Sequence, residues 1–296
     1  MSFRLDKIAI VGVGLIGGSF ALALKRAGAV GTVAGLGRTQ ASLAHAVELG
    51  VIDAAHEEPR AALEGAQLVL LAMPVGQTRA VLERLAPHVD AQAVVSDAGS
   101  TKSDVIAAAR DVLGPRIARF VPAHPIAGAE ASGAEAARPD LYRGRRAVVT
   151  PLAENPADAV ALVRDAWRAC GAEVHEMDAA EHDRVFAVVS HLPHLLAFAL
   201  VCDVLGHDDA ERLFDYAAGG FRDFTRIASS HPEMWRDICL ANRERLGVEL
   251  DRYMDVLGLF RGHLRSGDGR ALAAAFAAAR EARNAWLARI EGGAAQ

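Results

Sequence analysis

Three glycines near the start of the chain have the spacing that binds a dinucleotide. Gly12, Gly14 and Gly17 form G-x-G-x-x-G directly after the apolar run "KIAIVG" and before a helical apolar pattern. The first glycine permits a tight turn, the second lets backbone approach a pyrophosphate, and the third lets helix pack on strand. The first N–H groups of that helix, from Leu15 and Ile16, are then available to phosphate oxygens. We therefore expect a nicotinamide dinucleotide here; a merely structural turn is the alternative.

The residue that usually selects NAD is missing from its expected place. NAD sites carry an acid at the end of the second strand, about 20 residues beyond the glycines, which binds the ribose hydroxyls. Here that strand ends in "GLGRT", so Gly37 replaces the acid, and Arg38 and Thr39 follow it. Without a carboxylate to repel it, the 2′-phosphate of NADP can pair with Arg38. The alternative is a solvated Arg38 that stacks on adenine. We place Arg38 and Thr39 at the cofactor and favour NADP over NAD.

Four later segments carry polar side chains that could bind or transform a substrate. They are "DAGSTK" (97–102), "AHPIAGAEASG" (123–133), "SHLPH" (190–194) and "GGFRDFTRIA" (219–228). Each also has a structural interpretation. Ser100 or Thr101 fits a plain helix N-cap, and Pro193 fits a helix kink. Arg222 and Arg226, one turn apart, fit a pair that faces solvent. No segment alone identifies a reaction.

The elements that must position these segments alternate up to about residue 178. Strand-like runs are "KIAIVG", "TVAGL", "LVLLAMPV", "AVVSDAG", "RFVPAHP" and "RAVVTPL", with helical stretches among them. This alternation predicts an α/β fold, a Rossmann-like doubly wound and mostly parallel sheet. The remainder is helical and rich in Ala, Leu and Arg, which predicts an all-α domain. We expect a dinucleotide-binding domain at residues 1–177, a helical substrate and dimerisation domain at 178–291 and a tail at 292–296.

Composition narrows the class of protein. A chain of 296 residues is long enough for two cores. Aromatic residues make up only 5% and the net charge is −5 without a basic stripe, which argues against a nucleic-acid partner. Three scattered cysteines fit reduced thiols rather than disulfides, and no spacing of ligands indicates a metal. The apolar stretch Phe186–Cys202 contains two histidines and a proline, so we interpret it as a buried helix and not a membrane span. With no signal peptide, we expect a cytoplasmic protein.

In combination and in this order, the motifs resemble the prephenate/arogenate dehydrogenase family of tyrosine biosynthesis. The motifs that carry the resemblance are "GVGLIGGS", "DAGSTK", "HPIAGAEASG", "SHLPH" and "GGFRDFTRIA". The resemblance covers Lys7 to about Leu287. It implies a nucleotide-binding domain followed by a helical domain that forms a homodimer. It also implies oxidative decarboxylation of a cyclohexadienyl substrate, with hydride passing to the nicotinamide.

The resemblance assigns the catalytic residues. His124 matches the partner of the substrate's ring hydroxyl, and an imidazole, with a pKa of about 6.5, suits the acceptance of that proton near neutrality. We expect His124 in a loop after a strand, at the carboxyl edge of the sheet. Ser100 matches the serine that orients this histidine and the hydroxyl.

The resemblance also assigns the substrate-binding residues. Arg226 matches the arginine that binds the ring carboxylate, for which a guanidinium fork is suited. His191 and His194 match two histidines of the helical domain, three apart and so on one face. We expect His194 nearer the side-chain carboxylate. Glu130 matches an acid that pairs with or gates near the arginine.

Two other functions remain as alternatives at this point. Another dehydrogenase, acting on a hydroxy acid or imine, explains the glycines but not the later motifs. Such enzymes commonly use a lysine base, and residues 178–291 contain no lysine. A non-catalytic redox sensor needs no histidine base. Because the chain ends at Gln296, we expect no appended regulatory domain, and any tyrosine feedback would act at the active site. No residue decides between prephenate and L-arogenate.

Overall fold

The computed structural model describes residues 3–128 and 131–293. Its backbone contacts divide the chain into two compact units, Met1–Arg245 and Leu246–Gln296. The first unit holds every strand found in the described residues. The second is built from the two last helices.

The first unit is organised around a six-stranded sheet. Its strands are β1 (Leu5–Val11), β2 (Val30–Leu36), β3 (Ala54–His56), β4 (Leu68–Leu71), β5 (Val94–Asp97) and β6 (Phe120–Val121). All pairings are parallel, in the order β3-β2-β1-β4-β5-β6. This is the order of dinucleotide-binding folds, with the switch point between β1 and β4. The predicted doubly wound sheet is confirmed.

Helices cover both faces of this sheet. They are α1 (Leu15–Arg26), α2 (Gln40–Glu48), α3 (Pro59–Leu63), α4 (Thr78–Leu85), α5 (Ser103–Leu113) and α6 (Ala157–Ala169). Alternate residues of β1 enter two separate clusters, with Ile8 and Ile10 in one and Ala9 and Val11 in the other. Because both faces are buried, the strands are continuous apolar runs rather than alternating ones.

A second, three-stranded sheet was not predicted. Its strands are β7 (Ala123–Pro125), β8 (Arg146–Val149) and β9 (Glu173–Glu176), with β7 antiparallel and β9 parallel to β8. The run "RFVPAHP" is therefore two strands, because Pro122 has no N–H for a ladder. The carbonyl of Pro122 instead accepts from the N–H of Thr150 at 3.0 Å. His124 consequently lies on β7, opposite Val148, so its expected position in a loop was wrong.

After β9 the described chain is helical, as the sequence predicts. The helices are α7 (Ala179–Phe186), α8 (Leu192–Leu205), α9 (Ala210–Asp215), α10 (Gly219–Thr225), α11 (Pro232–Ala241), α12 (Arg243–Ser266) and α13 (Gly269–Gly293). A π-helical turn, Ala187–His191, joins α7 to α8. Helix α13 extends two residues into the segment predicted as a tail, and residues 294–296 lie outside the described part.

The continuous helical segment Ala179–Leu205 is long and apolar enough to cross a membrane by length and composition alone. A core helix of a soluble protein meets the same criterion. The sequence predicts a buried helix here, yet only 28% of its most apolar window is buried within the single chain. Its first half is anchored by buried polar side chains, described below, whereas most apolar side chains of α8 are only partly buried and Leu205 is 61% exposed. Apolar side chains left partly uncovered along a helix fit an interaction site.

The second unit also exposes apolar side chains. Among the described side chains of α12 and α13, large apolar residues at least 44% exposed are Val248, Met254, Val256, Leu257, Leu259, Leu264, Phe276, Trp286 and Ile290. Within α12 only Leu246 is buried. Isolated helices gain most of their stability from a packed apolar face, so these helices require a further surface to pack against.

Candidate active site

The glycine turn between β1 and α1 has the shape that a dinucleotide requires. Gly12 has a φ of +93°, and a Cβ there would lie 2.7 Å from the carbonyl oxygen of Ala72. A Cβ on Gly17 would lie 2.7 Å from Cγ2 of Ile10. Gly14, in contrast, faces open space within 4 Å. The first and third glycines are thus needed by the fold itself, and the second leaves room at the start of α1 for a pyrophosphate.

The end of β2 contains no carboxylate among Leu36, Gly37, Arg38 and Thr39. Arg38 is exposed and forms no ion pair with other described residues. Thr39 is the N-cap of α2, with its Oγ1 3.4 Å from the N–H of Ser42 and 2.7 Å from the Ser42 hydroxyl. Among residues 36–39, Arg38 is therefore the one with a positive charge, and the side chain of Thr39 is already used to cap α2.

The glycine turn lies beside the "DAGSTK" loop. Val11, Leu71 and Asp97 end neighbouring strands and are paired in register. The segments that follow them consequently leave the sheet at one carboxyl edge, where doubly wound folds bind ligands. Ser100, half-buried, is in this loop between β5 and α5.

His124 is at one end of a buried histidine–carboxylate chain. Its Nδ1 lies 2.8 Å from Nε2 of His182, and Nδ1 of His182 lies 2.9 Å from Oδ1 of Asp183. The ring of Phe186 packs 4.9 Å from that of His124. Burial, and then the electrostatic influence of the neighbouring His182 and Lys102, lower the pKa of His124 well below its usual range. His124 is therefore a neutral imidazole in the free protein.

Asp183 ties α7 to the loop before α5. Its carboxylate accepts the main-chain N–H groups of Lys102 and Ser103, each at 2.8 Å. Burial alone raises the pKa of Asp183, but hydrogen bonds from His182, Ser103 and Lys102 outweigh burial and lower it to about 2. Asp183 is thus ionised and caps α5. Neither Ser100 nor Thr101 caps this helix, so the N-cap interpretation of these two residues was wrong.

A buried ion pair fixes the strand that carries His124. Lys102 is fully buried and pairs with Asp97, and its Nζ also donates to the carbonyl of Ala123 at 2.7 Å. The other carboxylate oxygen of Asp97 accepts the N–H of Ala123 at 3.2 Å. The two opposite charges therefore compensate each other in the protein interior. Together, the two side chains hold Ala123, the residue before His124, by its main-chain N–H and C=O groups.

His191, the last residue of the π-helical turn, has a defined tautomer. Nδ2 of Asn242 donates to the carbonyl of Asp183 at 2.7 Å and lies 3.2 Å from Nδ1 of His191. Because an amide nitrogen only donates, Nδ1 of His191 accepts and its proton is on Nε2. Burial lowers the pKa of His191 to about 4. Its Nε2 has no partner in good hydrogen-bond geometry among the described residues, although the backbone of Ser100 lies close enough to raise the pKa of His191 in part. The indole nitrogen of Trp235 is likewise a buried donor without a partner there.

His194 contacts the ring of Trp235, and the charge of Arg226 acts on it. The ring of His194 stacks on Trp235, and its Nδ1 donates to the carbonyl of Ser190 at 2.9 Å. Burial and the charge of Arg226 lower the pKa of His194 despite the bond to Ser190. Arg226 is exposed on a 3-10 turn after α10, close enough to act on that ring. Arg222 instead points to solvent beside Asp223, 3.4 Å away. Glu130 lies outside the described residues.

The structure thus brings His124, His191, His194, Ser100 and Arg226 into one part of the first unit. Sequence reasoning missed the residues that hold them: Asp97, Lys102, His182, Asp183, Trp235 and Asn242. Asp97 and Lys102 stood inside a quoted motif as opposite charges five positions apart, which was a usable signal. His182 and Asp183 had none, since "AAEHDRVF" has the pattern of an exposed helical start, and Trp235 and Asn242 stand outside the quoted motifs.

Comparisons with known proteins cover both predicted halves. Residues 20–176 match the family model described as prephenate dehydrogenase, nucleotide-binding domain, and residues 178–278 match prephenate dehydrogenase, dimerization domain. Cyclohexadienyl dehydrogenase of Zymomonas mobilis is 36% identical over 93% of this chain and 94% of its own length. Prephenate dehydrogenase of Bacillus subtilis is 35% identical over 97% and 78%.

Solved structures with a similar fold include a prephenate and an arogenate dehydrogenase. Prephenate dehydrogenase from Aquifex aeolicus, in complex with hydroxyphenyl propionate and NAD+, has a TM-score of 0.85 and 37% identity, covering 91% of this chain and 94% of that one. Synechocystis arogenate dehydrogenase has a TM-score of 0.79 and 28% identity, covering 95% and 99%.

Proposed function

This chain belongs to the prephenate dehydrogenase family, and we propose that His124 is the base of its reaction. The protein is an NAD(P)-dependent dehydrogenase of tyrosine biosynthesis that oxidatively decarboxylates a cyclohexadienyl substrate. Neither a hydroxy-acid or imine dehydrogenase nor a redox sensor accounts for these relatives. The observation that carries the assignment of His124 is its buried, neutral imidazole, which is bonded to His182 and follows Ala123, the residue held by Asp97 and Lys102.

The chemistry requires one proton acceptor and several anion-binding groups. Prephenate has a ring hydroxyl, a ring carboxylate and a carboxylate on its side chain. Hydride leaves the carbinol carbon while the hydroxyl loses its proton, and loss of CO₂ then makes the ring aromatic. The nicotinamide, when bound, supplies the hydride acceptor. His124 takes the hydroxyl proton, and Ser100, in the adjoining loop, orients that hydroxyl.

The substrate's ring carboxylate is assigned to Arg226. The histidines near it have lowered pKa values and are neutral, so they can donate or accept hydrogen bonds but add no charge. A guanidinium is always charged and binds a carboxylate through two parallel bonds. His194 is assigned to the side-chain carboxylate or its neighbouring group, and the buried Nε2–H of His191 to a further oxygen of the substrate. The role of Glu130 as an acid that pairs with or gates near Arg226 stays a prediction, because this residue lies outside the described part of the chain.

The preferred cofactor is NADP in this proposal. The glycine turn with Leu15 and Ile16 at the start of α1 fits the pyrophosphate common to both dinucleotides. Support for the 2′-phosphate comes from Gly37, which leaves no carboxylate at the end of β2, and from Arg38, an exposed cation that forms no ion pair with the residues that the structure describes. The Aquifex aeolicus relative was solved with NAD+, so the two cofactors must be compared directly.

We also propose that the protein is a homodimer and that it is cytoplasmic. The chain contains a dimerisation domain, and the exposed apolar residues of α8, α12 and α13 support a homodimer. We place the boundary between the nucleotide-binding and helical domains at residues 177/178. A biosynthetic role and the polar anchoring of the segment Ala179–Leu205 support a cytoplasmic location rather than a membrane one.

A four-way steady-state assay tests the function. Prephenate and L-arogenate are each supplied with NAD+ and with NADP+, and reduced cofactor is followed by absorbance. We expect turnover with at least one substrate and a higher kcat/KM for NADP+. Absence of turnover in all four combinations would overturn the function, and a preference for NAD+ would overturn only the cofactor choice.

A further inference from the structure

We propose that Asp183 and His182 form a positioning pair that sets the tautomer of His124, so that its Nε2 is the atom that accepts the substrate's proton. This inference rests on the proposed role of His124 and deepens it. Asp183 and His182 touch neither substrate nor cofactor in the proposal. They act through His124.

The carboxylate of Asp183 fixes the first ring of the chain. It is ionised and therefore only accepts hydrogen bonds. Nδ1 of His182, 2.9 Å from Oδ1, must then carry a proton. Burial lowers the pKa of His182 and the bond to Asp183 offsets this only in part, so the ring is neutral with its lone pair on Nε2.

The first ring then fixes the second. Nε2 of His182 can only accept, and it lies 2.8 Å from Nδ1 of His124. Nδ1 of His124 must therefore donate, which puts the proton of the neutral imidazole on Nδ1 and leaves the lone pair on Nε2. That nitrogen makes no hydrogen bond to the described residues. Without the pair, either nitrogen of His124 could carry the proton, and the Nε2–H tautomer cannot act as a base.

The same pair stabilises the product of proton transfer. The O–H bond of the substrate breaks, a new N–H bond forms at Nε2 of His124, and the proton on Nδ1 stays in place. The resulting imidazolium keeps its bond to His182, and the negative charge of Asp183 lies one ring further on. This arrangement offsets the burial and the charge of Lys102, which otherwise disfavour the cation.

Asp183 is held rigidly enough for this task. Its two oxygens accept from the N–H groups of Lys102 and Ser103, and its carbonyl accepts from Asn242. Both rings are buried, and they meet edge to face with centroids 5.0 Å apart. A ligating or reacting group depends on partners of this kind for its orientation, and their loss commonly costs ~10–100-fold.

Two substitutions of His182 separate positioning from packing. In His182→Gln the amide reaches the place of Nε2, so its oxygen can accept from His124. In His182→Asn the shorter amide reaches only the place of Nδ1 and leaves His124 without an acceptor. We expect His182→Gln to keep kcat within ~10-fold and His182→Asn to lose ~10²-fold or more, with the Kd of the cofactor unchanged in both. Equal kcat values for the two variants would overturn the positioning role.

A spectroscopic measurement on the wild-type protein tests the tautomers without turnover. In ¹⁵N-histidine-labelled protein, long-range ¹H–¹⁵N correlation spectra report which ring nitrogen is protonated. We expect both His182 and His124 as Nδ1–H tautomers, assigned by the loss of each signal in His182→Gln and His124→Asn. A His124 protonated on Nε2 would overturn the inference. Predicted tautomers in a protein that turns over no substrate would instead overturn the proposed function alone.

Discussion

The imidazole of His194 lies flat against the indole of Trp235, with ring centroids 3.6 Å apart and ring planes 17° apart. Its Nδ1 donates to the carbonyl of Ser190, one turn back on the helix. The ring is therefore held by a stacking contact and a hydrogen bond, while burial and the charge of Arg226 keep its pKa low. His194 is neutral at neutral pH, and the positive charge beside it is that of Arg226.

Stability should fall as the protein is acidified below pH 6.5. His124, His182, His191 and His194 all have folded-state pKa values below the ordinary 6.5. Between the two pKa values the unfolded chain binds protons that the folded chain does not, so stability rises with pH. The stability that depends on a neutral His191 is complete above pH 6.5 and is largely lost by about pH 4, on the order of 3 kcal/mol.

Thermal unfolding between pH 8 and pH 4 measures this effect. The Tm should drop steeply below pH 6.5, and His191→Asn, whose amide oxygen can still accept from Asn242, should flatten the drop. His88→Asn, at an exposed position, is the matched control and should leave the pH dependence unchanged. A Tm that is constant or rises on acidification would contradict the prediction.

Loss of the imidazole of His124 should remove most catalysis and leave cofactor binding intact. We expect His124→Asn to lower kcat by ~10²–10⁴, the usual contribution of a general base. The dissociation constant of the cofactor, measured by fluorescence, should stay near normal because the glycine turn is formed by other elements. The assignment fails if the variant keeps most of its kcat across the whole pH range.

The parts of the fold that were predictable depend on local patterns. The glycine turn was predictable because its spacing is imposed by a single strand–turn–helix unit, and Gly12 and Gly17 meet neighbouring atoms as expected. The split of "RFVPAHP" into β6 and β7 was not. Pro122 marked a possible break, but only the distant partner β8 decides that the chain continues as a strand of another sheet.

The residues of the site also fall into those that the sequence could identify and those that it could not. Residues in family motifs, such as His124 and His194, could be named from the sequence. Asp183 could not, because its carboxylate caps a helix whose first residues lie 80 and 81 positions earlier. His182 and Asp183 have the sequence pattern of an ordinary pair at the start of a helix. They join His124 in a hydrogen-bonded network only because tertiary packing buries them, and no local sequence pattern records that packing.

Cofactor preference should depend on two neighbouring residues. Arg38→Ala should raise the KM for NADP+ far more than that for NAD+, because only NADP+ has a 2′-phosphate with which Arg38 can pair. Gly37→Asp should restore the ribose-binding acid and favour NAD+. Its Cβ would lie 3.0 Å from Cδ2 of Leu43, a side chain that can shift slightly. Arg60→Ala, another exposed arginine, serves as the control. Equal changes in the two KM values would refute the role of Arg38.

The exposed helices of the second unit should form a subunit interface. Light scattering should give about twice the 31.2 kDa mass of the chain. Leu259 and Phe276 are 66% and 60% exposed, and a charge at either position would be buried unpaired in a dimer. Leu259→Asp and Phe276→Asp should therefore produce monomers, whereas Arg261→Ala should not. A wild-type protein that is monomeric at micromolar concentration would contradict the dimer.

Arg226 should contribute far more than an exposed surface pair. A solvent-facing arginine in a helical ion pair contributes under ~1 kcal/mol. A charge-assisted bond to a substrate carboxylate contributes ~1.5–3 kcal/mol, and more when its loss leaves a buried charge unpaired. We expect Arg226→Ala to lower kcat/KM by ~10²-fold or more, mainly through KM if the carboxylate is held equally in the ground and transition states.

Two comparisons decide whether Arg226 is the carboxylate partner. Arg226→Lys should restore activity only in part, since it keeps the charge but loses the planar fork. Arg222→Ala is the matched control, because Arg222 is one turn earlier and its side chain is 82% exposed beside Asp223. If Arg222→Ala loses most of its kcat/KM while Arg226→Ala stays near the wild-type value, the carboxylate partner is Arg222 and not Arg226. Unchanged KM values for prephenate and L-arogenate in both variants would show that this motif binds no carboxylate.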